Sequence, residues 1–180
     1  MSRSRRPLLL AGMLAAAVAA WAAVALVAPA PARSASGTDA LKDKPAPDFE
    51  LPTLTGDRTV KLSGFAGKVV FVDFWASWCE PCKKELPALQ KMHDALGAAG
   101  LVVLAISLDE EPSEARLFTT RHKLTLPLLS DVKGKVADRY KLAKMPTSVV
   151  IDKAGVIRFV NAGFDPGDEK ELEAQVRKLL

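Results

Sequence analysis

The feature that most limits how this chain can fold is an apolar run, interrupted by a single acid, that ends just before a pair of cysteines. The run, residues 69–75, reads VVFVDFW and is typical of a strand buried on both faces of a sheet. Cys79 and Cys82 follow it, and the segment from Cys79 to Leu96 has helical periodicity. We therefore expect a buried strand that leads directly into a helix, with both thiols in its first turn.

Two thiols at this spacing can close a small disulfide ring and reopen it without moving the rest of the fold. The unpaired N–H groups and the dipole of a helix N-terminus favour a thiolate, and Cys79 is best placed to feel that field. Pro81 needs no N–H there and fixes the backbone between the sulfur atoms, while Glu80 and Lys83 bring opposing charges. We expect Cys79 to attack a partner disulfide and Cys82 to resolve the mixed disulfide.

Two other uses of the cysteines must be weighed against this redox centre. A static structural disulfide is possible, but a bond that closes so short a loop stabilises a fold only slightly. A structural zinc site needs about four ligands. Beyond the thiols the chain offers His93, His122 and carboxylates, none at zinc-finger spacing. The redox interpretation is therefore favoured, and no metal or other cofactor is expected.

The N-terminal segment has the composition of an export signal. The first 35 residues contain four arginines and no acid, and residues 8–28 are almost entirely apolar. Since about 20 apolar residues suffice to span a bilayer, the segment is either a cleaved signal or an uncleaved membrane anchor, with the anchor slightly favoured. Arginines before the apolar run place the rest of the chain outside the cytoplasm. Residues 4–9, SRRPLL, also resemble a twin-arginine export signal.

The chain is predicted to contain one folded domain behind this leader. We assign residues 1–28 to the signal or anchor, 29–45 to a flexible tether, and 46–180 to the domain. The four leader arginines account for the whole net charge of +4. Because no basic patch is visible elsewhere, nucleic-acid binding is excluded. The domain is expected to be a monomer.

Strand and helix patterns alternate along the domain and end in a hairpin and a helix. The turn sequence Asp152–Gly155 is a strong hairpin signal. This order predicts an α/β fold, in which helices cover both faces of a central mixed sheet and a hairpin extends it at the N-terminus. The predicted elements are a hairpin at 48–62, strands at 69–75, 101–108, 126–129, 147–151 and 156–160, and helices at 79–96, 112–123, 134–142 and 168–180.

The motif VDFWASWCEPC resembles the active-site sequence of thioredoxins, and Pro87 matches their helix-kinking proline. From about Ala46 to Leu180 the chain is identified as a member of the thioredoxin superfamily, similar to its bacterial TlpA/ResA-like membrane-associated thiol-disulfide oxidoreductases. The resemblance implies a thioredoxin-like fold. It also implies that Trp78 shields the disulfide and contacts partners.

A second element, Met145-Pro146-Thr147, lies just before a predicted strand. The family carries a cis-proline there, packed beside the disulfide. By that resemblance Pro146 is cis, and the backbone of Met145 pairs with an incoming substrate strand. We therefore assign Trp78, Met145, Pro146 and Thr147 to substrate binding.

Asp73 is an acid in an otherwise apolar strand, where a buried charge is costly unless it has a function. It matches the buried acid of thioredoxins, which accepts the proton of the resolving cysteine, although many TlpA-like relatives have a neutral residue there. An acid on a solvated face of a half-exposed strand is the alternative. With Glu80 between the cysteines, residues 79–82 resemble the Cys-Glu-Pro-Cys centre of the cytochrome c maturation branch. Glu80 and Pro81 are expected to tune the thiol pKa.

The resemblance implies an envelope reductase that takes electrons from an integral-membrane thiol carrier. Its substrates would be protein disulfides, such as those of apocytochrome c. A peroxiredoxin-like thiol peroxidase is an alternative, but it would need Thr or Ser three residues before Cys79, where the chain has Ala76. A copper chaperone is another, since thiols suit Cu(I). That family spaces its cysteines one residue wider and places a histidine late in the chain, whereas none follows His122 here.

Overall fold

The computed structural model describes residues 37–180, which contain a five-stranded mixed sheet and a separate two-stranded hairpin. The strands are β1 (Glu50–Pro52), β2 (Thr59–Lys61), β3 (Val69–Trp75), β4 (Leu101–Ser107), β5 (Leu128–Ser130), β6 (Thr147–Ile151) and β7 (Ile157–Ala162). The α-helices are α1 (Glu80–Leu96), α2 (Pro112–Arg121), α3 (Lys135–Arg139) and α4 (Glu169–Arg177).

The central sheet has the strand order β5-β4-β3-β6-β7. Strands β3, β4 and β5 are parallel, whereas β6 and β7 run antiparallel to their neighbours. Every residue of β3 is buried, which explains why all of them except Asp73 are apolar. The carboxyl ends of β3 and β4 and the start of β6 therefore lie along one edge of the sheet.

Alternate residues of β3 point into two separate hydrophobic layers. Val69, Phe71 and Trp75 pack with α1, α2 and α4, whereas Val70 and Phe74 belong to the layer formed with α3 and the N-terminal hairpin. Helices thus cover both faces of the sheet. The predicted fold class is confirmed, including the N-terminal hairpin of β1 and β2.

Several predicted elements differ in length from those observed, the following three among them. Helix α3 is shorter than the predicted 134–142, and Lys141, just beyond it, has a left-handed backbone with φ 52°. Strand β5 starts at Leu128 rather than at Leu126, because the Leu126 N–H donates to the Gln90 side chain. Helix α4 ends at Arg177 rather than at the predicted residue 180.

The packed part of the chain begins ahead of the predicted domain start at Ala46. Within the predicted tether, Gly37–Leu41 forms a 3-10 helix whose Thr38 and Leu41 side chains are buried. Leu41 joins the layer that contains α3, and Pro45 forms an isolated antiparallel bridge with Val156. Residues 37–45 therefore pack against the domain, because Leu41 is apolar enough to bury.

The predicted signal or anchor, residues 1–28, and the first part of the tether lie outside the described residues. Among residues 37–180, none of the helices has both the length and the apolar character required to cross a bilayer.

Candidate active site

The two cysteines form a disulfide at the start of α1, on the edge of the sheet where β3 ends. Cys79 is the N-cap residue and has an extended backbone, while Pro81 lies in the first turn. The two Cα atoms are 5.3 Å apart. The apolar run followed by a helix start therefore places both sulfur atoms as the sequence predicted.

The two sulfur-bearing residues differ in their access to solvent. Cys79 retains 6% of its accessible surface, whereas Cys82 retains none. The neighbouring Trp78 is 63% exposed, the largest value among the exposed large apolar side chains of the described residues. The remaining exposed surface of the disulfide-bonded pair therefore lies on Cys79, next to Trp78 in the chain.

Pro146 lies at the same edge, because β6 pairs with β3 and places Thr147 opposite Phe74. The Met145–Pro146 peptide bond is cis, which confirms what the family resemblance implied. Gly163 N–H donates to the Pro146 carbonyl at 2.7 Å. Met145 packs against the hydrophobic layer that contains Cys79 and Cys82. Two motifs more than 60 residues apart in the sequence are thus brought together.

Asp73 is fully buried, so the alternative of an acid on a solvated strand face is wrong. It lies between Phe71 and Trp75 in the alternation of β3 and therefore points into the layer that contains α1. Neither carboxyl oxygen has a hydrogen-bond partner. Burial raises the pKa of Asp73 to about 8, which suits a group that exchanges a proton near neutral pH.

Glu85 is a second buried carboxyl, and its burial was not predicted from the sequence. It lies one helical turn after Cys82 on the buried face of α1 and is 2% exposed. Burial, followed by the negative charges of Asp73 and Asp168, raises its pKa well above the ordinary value. Its spacing of three residues from Cys82 was the one available signal, since surface helices commonly carry glutamates.

Glu80, between the two cysteines, points outward. Its carboxylate accepts a hydrogen bond from the Lys83 ammonium at 2.7 Å, and that bond and the charge of Lys83 lower the pKa of Glu80. The negative charge of Glu80 and the positive charge of Lys83, which were expected to oppose each other near the cysteines, are thus paired with each other. How Glu80 and Pro81 influence the thiol pKa stays a prediction.

The loop that precedes Cys79 is fastened to the end of β4 by a buried aspartate. The Asp109 carboxylate accepts bonds from the Ser77 backbone N–H at 3.0 and 3.1 Å and from the Ser77 hydroxyl at 2.6 Å. The Ser107 hydroxyl donates to the same carboxylate at 2.7 Å. These contacts hold the segment that carries Trp78 and Cys79, and nothing in the local sequence predicted them.

The two histidines lie apart from any group of metal ligands. His93 lies within α1, and His122 stacks on Phe118 with ring centroids 4.3 Å apart. Within residues 37–180, no group of three or more His, Cys, Asp or Glu side chains is arranged to hold a metal ion. Ala76 is buried at the position where a thiol peroxidase would need a hydroxyl.

Comparison with known proteins gives a consistent set of matches. Residues 43–160 match the AhpC/TSA family. Thioredoxin-like protein YneN of Bacillus subtilis is 37% identical over 134 residues, which cover 73% of this chain and 76% of YneN. Thiol-disulfide oxidoreductase ResA of Bacillus thuringiensis subsp. konkukian is 33% identical over 136 residues, covering 76% of this chain and 77% of ResA.

A solved structure shares the same fold. The crystal structure of a protein described as thiol:disulfide interchange protein DsbE from Chlorobium tepidum has a TM-score of 0.73 and 38% sequence identity. The match covers 77% of this chain and 96% of the Chlorobium protein. The thioredoxin-like fold and thiol-disulfide chemistry at Cys79 and Cys82 are therefore supported from sequence and from structure.

Proposed function

Because the chain belongs to the AhpC/TSA family and is a thiol-disulfide oxidoreductase of the ResA and DsbE type, we propose that it reduces protein disulfides outside the cytoplasm. The observation that carries the proposal is the one-sided access to the disulfide. Cys79 is the sulfur-bearing residue with exposed surface, and it lies beside the exposed Trp78, at the sheet edge that carries cis-Pro146.

The reaction proceeds in two exchange steps. The Cys79 thiolate attacks one sulfur of the substrate disulfide, forming a mixed disulfide and releasing the other substrate sulfur as a thiolate. Cys82 then gives its proton to the Asp73 carboxylate and attacks Cys79. The Cys79–Cys82 disulfide forms, the second substrate thiolate leaves, and two electrons have passed to the substrate.

The substrate surface consists of Trp78 and the Met145-Pro146-Thr147 segment. Trp78 offers a large exposed aromatic ring, against which the side chains of an extended substrate segment can pack. Met145 packs against the hydrophobic layer that contains the cysteines, so a substrate strand paired with its backbone would bring a disulfide towards Cys79. Peptide strands, rather than small molecules, are therefore the proposed substrates.

The arginine-flanked apolar leader supports a location in the cell envelope, with the domain on the outer side of the membrane. Thiols are readily oxidised there, so a reductase needs a dedicated electron source. We assign that role to a membrane thiol carrier, and we assign apocytochrome c as a substrate. The Cys-Glu-Pro-Cys sequence, which resembles the cytochrome c maturation branch, supports that choice.

Trapping the mixed disulfide tests the proposal. Cys82→Ser, incubated with an oxidised peptide carrying a Cys-x-x-Cys-His haem-attachment sequence, should form a stable covalent adduct through Cys79. Cys79→Ser is the matched control and should trap nothing. An adduct formed through Cys82 alone would overturn the assigned roles. Equal reaction rates with the haem-attachment peptide and with an unrelated disulfide peptide would remove apocytochrome c as the preferred substrate.

A further inference from the structure

Residues 37–48 pack against the end of α3, and we call them the N-terminal strap. They form hydrogen bonds to three consecutive residues at that end, which are Arg139, Tyr140 and Lys141. The Tyr140 hydroxyl donates to the Pro47 carbonyl at 2.9 Å, and the Arg139 guanidinium donates to the Asp48 carbonyl. Helix α3 has five residues, and a helix of that length depends on tertiary contacts for its stability. The strap therefore helps to fix where α3 ends.

The strap is itself fixed to the edge of the sheet. The Asp43 N–H donates to the Ile157 carbonyl at 2.7 Å, and the Ile157 N–H donates to the Lys44 carbonyl at 3.0 Å. The Leu41 side chain is buried in the hydrophobic layer that contains α3. Because backbone pairing and apolar burial both hold the strap, it connects the end of α3 to β7.

The first two residues of the strap make a close contact with Lys141. The Thr38 side chain is fully buried, and its hydroxyl donates to the Lys141 carbonyl at 3.3 Å. A Cβ atom added at Gly37 would lie 2.7 Å from the same carbonyl oxygen, so this approach requires glycine. Lys141 has a left-handed backbone, which is unfavourable for a residue with a side chain and persists where neighbouring contacts hold it.

Lys141 begins the loop that leads to the proposed substrate-binding segment. Three residues separate it from Met145, whose backbone is proposed to pair with a substrate strand. The far end of this loop is fixed to the sheet, because the Thr147 hydroxyl donates to the Lys144 carbonyl at 2.9 Å. The near end is fixed by α3 and by the strap. A displaced Lys141 carbonyl would therefore shift the loop backbone that precedes Met145.

We propose that the N-terminal strap, through Gly37 and Thr38, positions the backbone from Lys141 to Met145 for the binding of substrate strands. Thr38 is then a positioning residue that acts through Lys141. The inference rests on the proposed function, in which the substrate is a peptide strand. The strap does not touch the loop and helix that carry the two cysteines, so it should affect the binding of peptides and not the reactivity of the thiols.

Two substitutions in the full chain disturb the contact with Lys141. Thr38→Val keeps the shape of the side chain and removes the hydroxyl, whereas Gly37→Ala places a Cβ atom against the Lys141 carbonyl. In single turnovers of the reduced protein with an oxidised Cys-x-x-Cys-His peptide, each should raise the half-saturating peptide concentration by about three- to tenfold, as the loss of one hydrogen bond would. The maximal rate should stay within about twofold of the wild-type rate.

A small aromatic disulfide, which is too short to pair with the Met145 backbone, separates binding from thiol chemistry. Its reaction with the reduced variants should proceed at the wild-type rate. Thr38→Ser keeps the hydroxyl and should restore most of the peptide affinity. Thr120→Val, the same type of change at an exposed position of α2, is the matched control and should leave both reactions unchanged.

Hydrogen exchange of the amides of residues 142–145 gives a readout that does not depend on catalysis. These amides should exchange faster in Thr38→Val and Gly37→Ala than in the wild type. Unchanged exchange together with unchanged half-saturating concentrations would overturn the positioning role. Equal losses with the peptide and the small disulfide would also overturn it, since they would make the strap a general stabiliser. A wild-type protein that does not reduce the peptide would instead contradict the proposed function, and the exchange measurement would still decide whether the strap holds the loop.

Discussion

Asp73→Asn should stabilise the oxidised protein at neutral pH, although it removes a proposed mechanistic group. Burial raises the pKa of Asp73 from its ordinary value of 3.8 to about 8. Between these two values the folded state holds a proton that the unfolded state has lost, so the carboxyl makes stability fall as pH rises. One pKa unit corresponds to about 1.4 kcal/mol. At pH 7 the buried Asp73 carboxyl therefore lowers the free energy of unfolding by about 4 kcal/mol.

Urea unfolding of both oxidised proteins between pH 4 and about pH 9 measures this effect. The two free energies of unfolding should nearly coincide close to pH 4. The advantage of the asparagine variant should then grow by about 1.4 kcal/mol per pH unit and level off above about pH 8. Asp165→Asn, at an exposed loop residue, is the control and should show no such trend. A difference between Asp73→Asn and the wild type that stays constant across the range would refute the argument.

Two further substitutions address the surface and the loop around Cys79. Trp78→Ala should change the free energy of unfolding by less than about 0.5 kcal/mol, because the side chain is exposed, and should raise the KM for a disulfide peptide several-fold. An equal rise in KM for a small aromatic disulfide would exclude a peptide-binding role for Trp78. Asp109→Ala removes the carboxylate that accepts hydrogen bonds from Ser77 and Ser107. It should lower the free energy of unfolding in urea by about 2–3 kcal/mol, more than Asp109→Asn does. If the two Asp109 variants unfold alike, the hydrogen bonds to Ser77 do not stabilise the loop.

The sheet could be predicted because the sequences of its central strands fit few structures other than a buried strand. Residues 69–75 and 101–108 are long apolar runs, and burial on both faces of a parallel sheet requires such sequences. The ends of shorter elements depended on contacts far away in the chain. The start of β5 is one case, because the Gln90 side chain accepts a hydrogen bond from the Leu126 N–H. Such contacts leave no local pattern.

The candidate site could be predicted in part. The strand-to-helix junction placed Cys79 and Cys82, whereas the position of Pro146 beside them came from the family resemblance, because β6 pairs with β3 over a long sequence separation. Glu85 and Asp109 were not predicted. A single acid in a helix or after a strand usually lies in solvent, and only the packing of α1 on β3 and of the Ser77 loop on β4 buries these two.

We propose that the Cys79–Cys82 pair acts as a reductant of protein disulfides. Its reduction potential, measured by equilibration with thiol–disulfide buffers, distinguishes a reductant from an oxidant. We expect a value at or below about −220 mV, in the range of glutaredoxins and thioredoxin. A value above about −180 mV, in the range of protein disulfide isomerase and DsbA, would contradict it and identify the protein as an oxidant or isomerase.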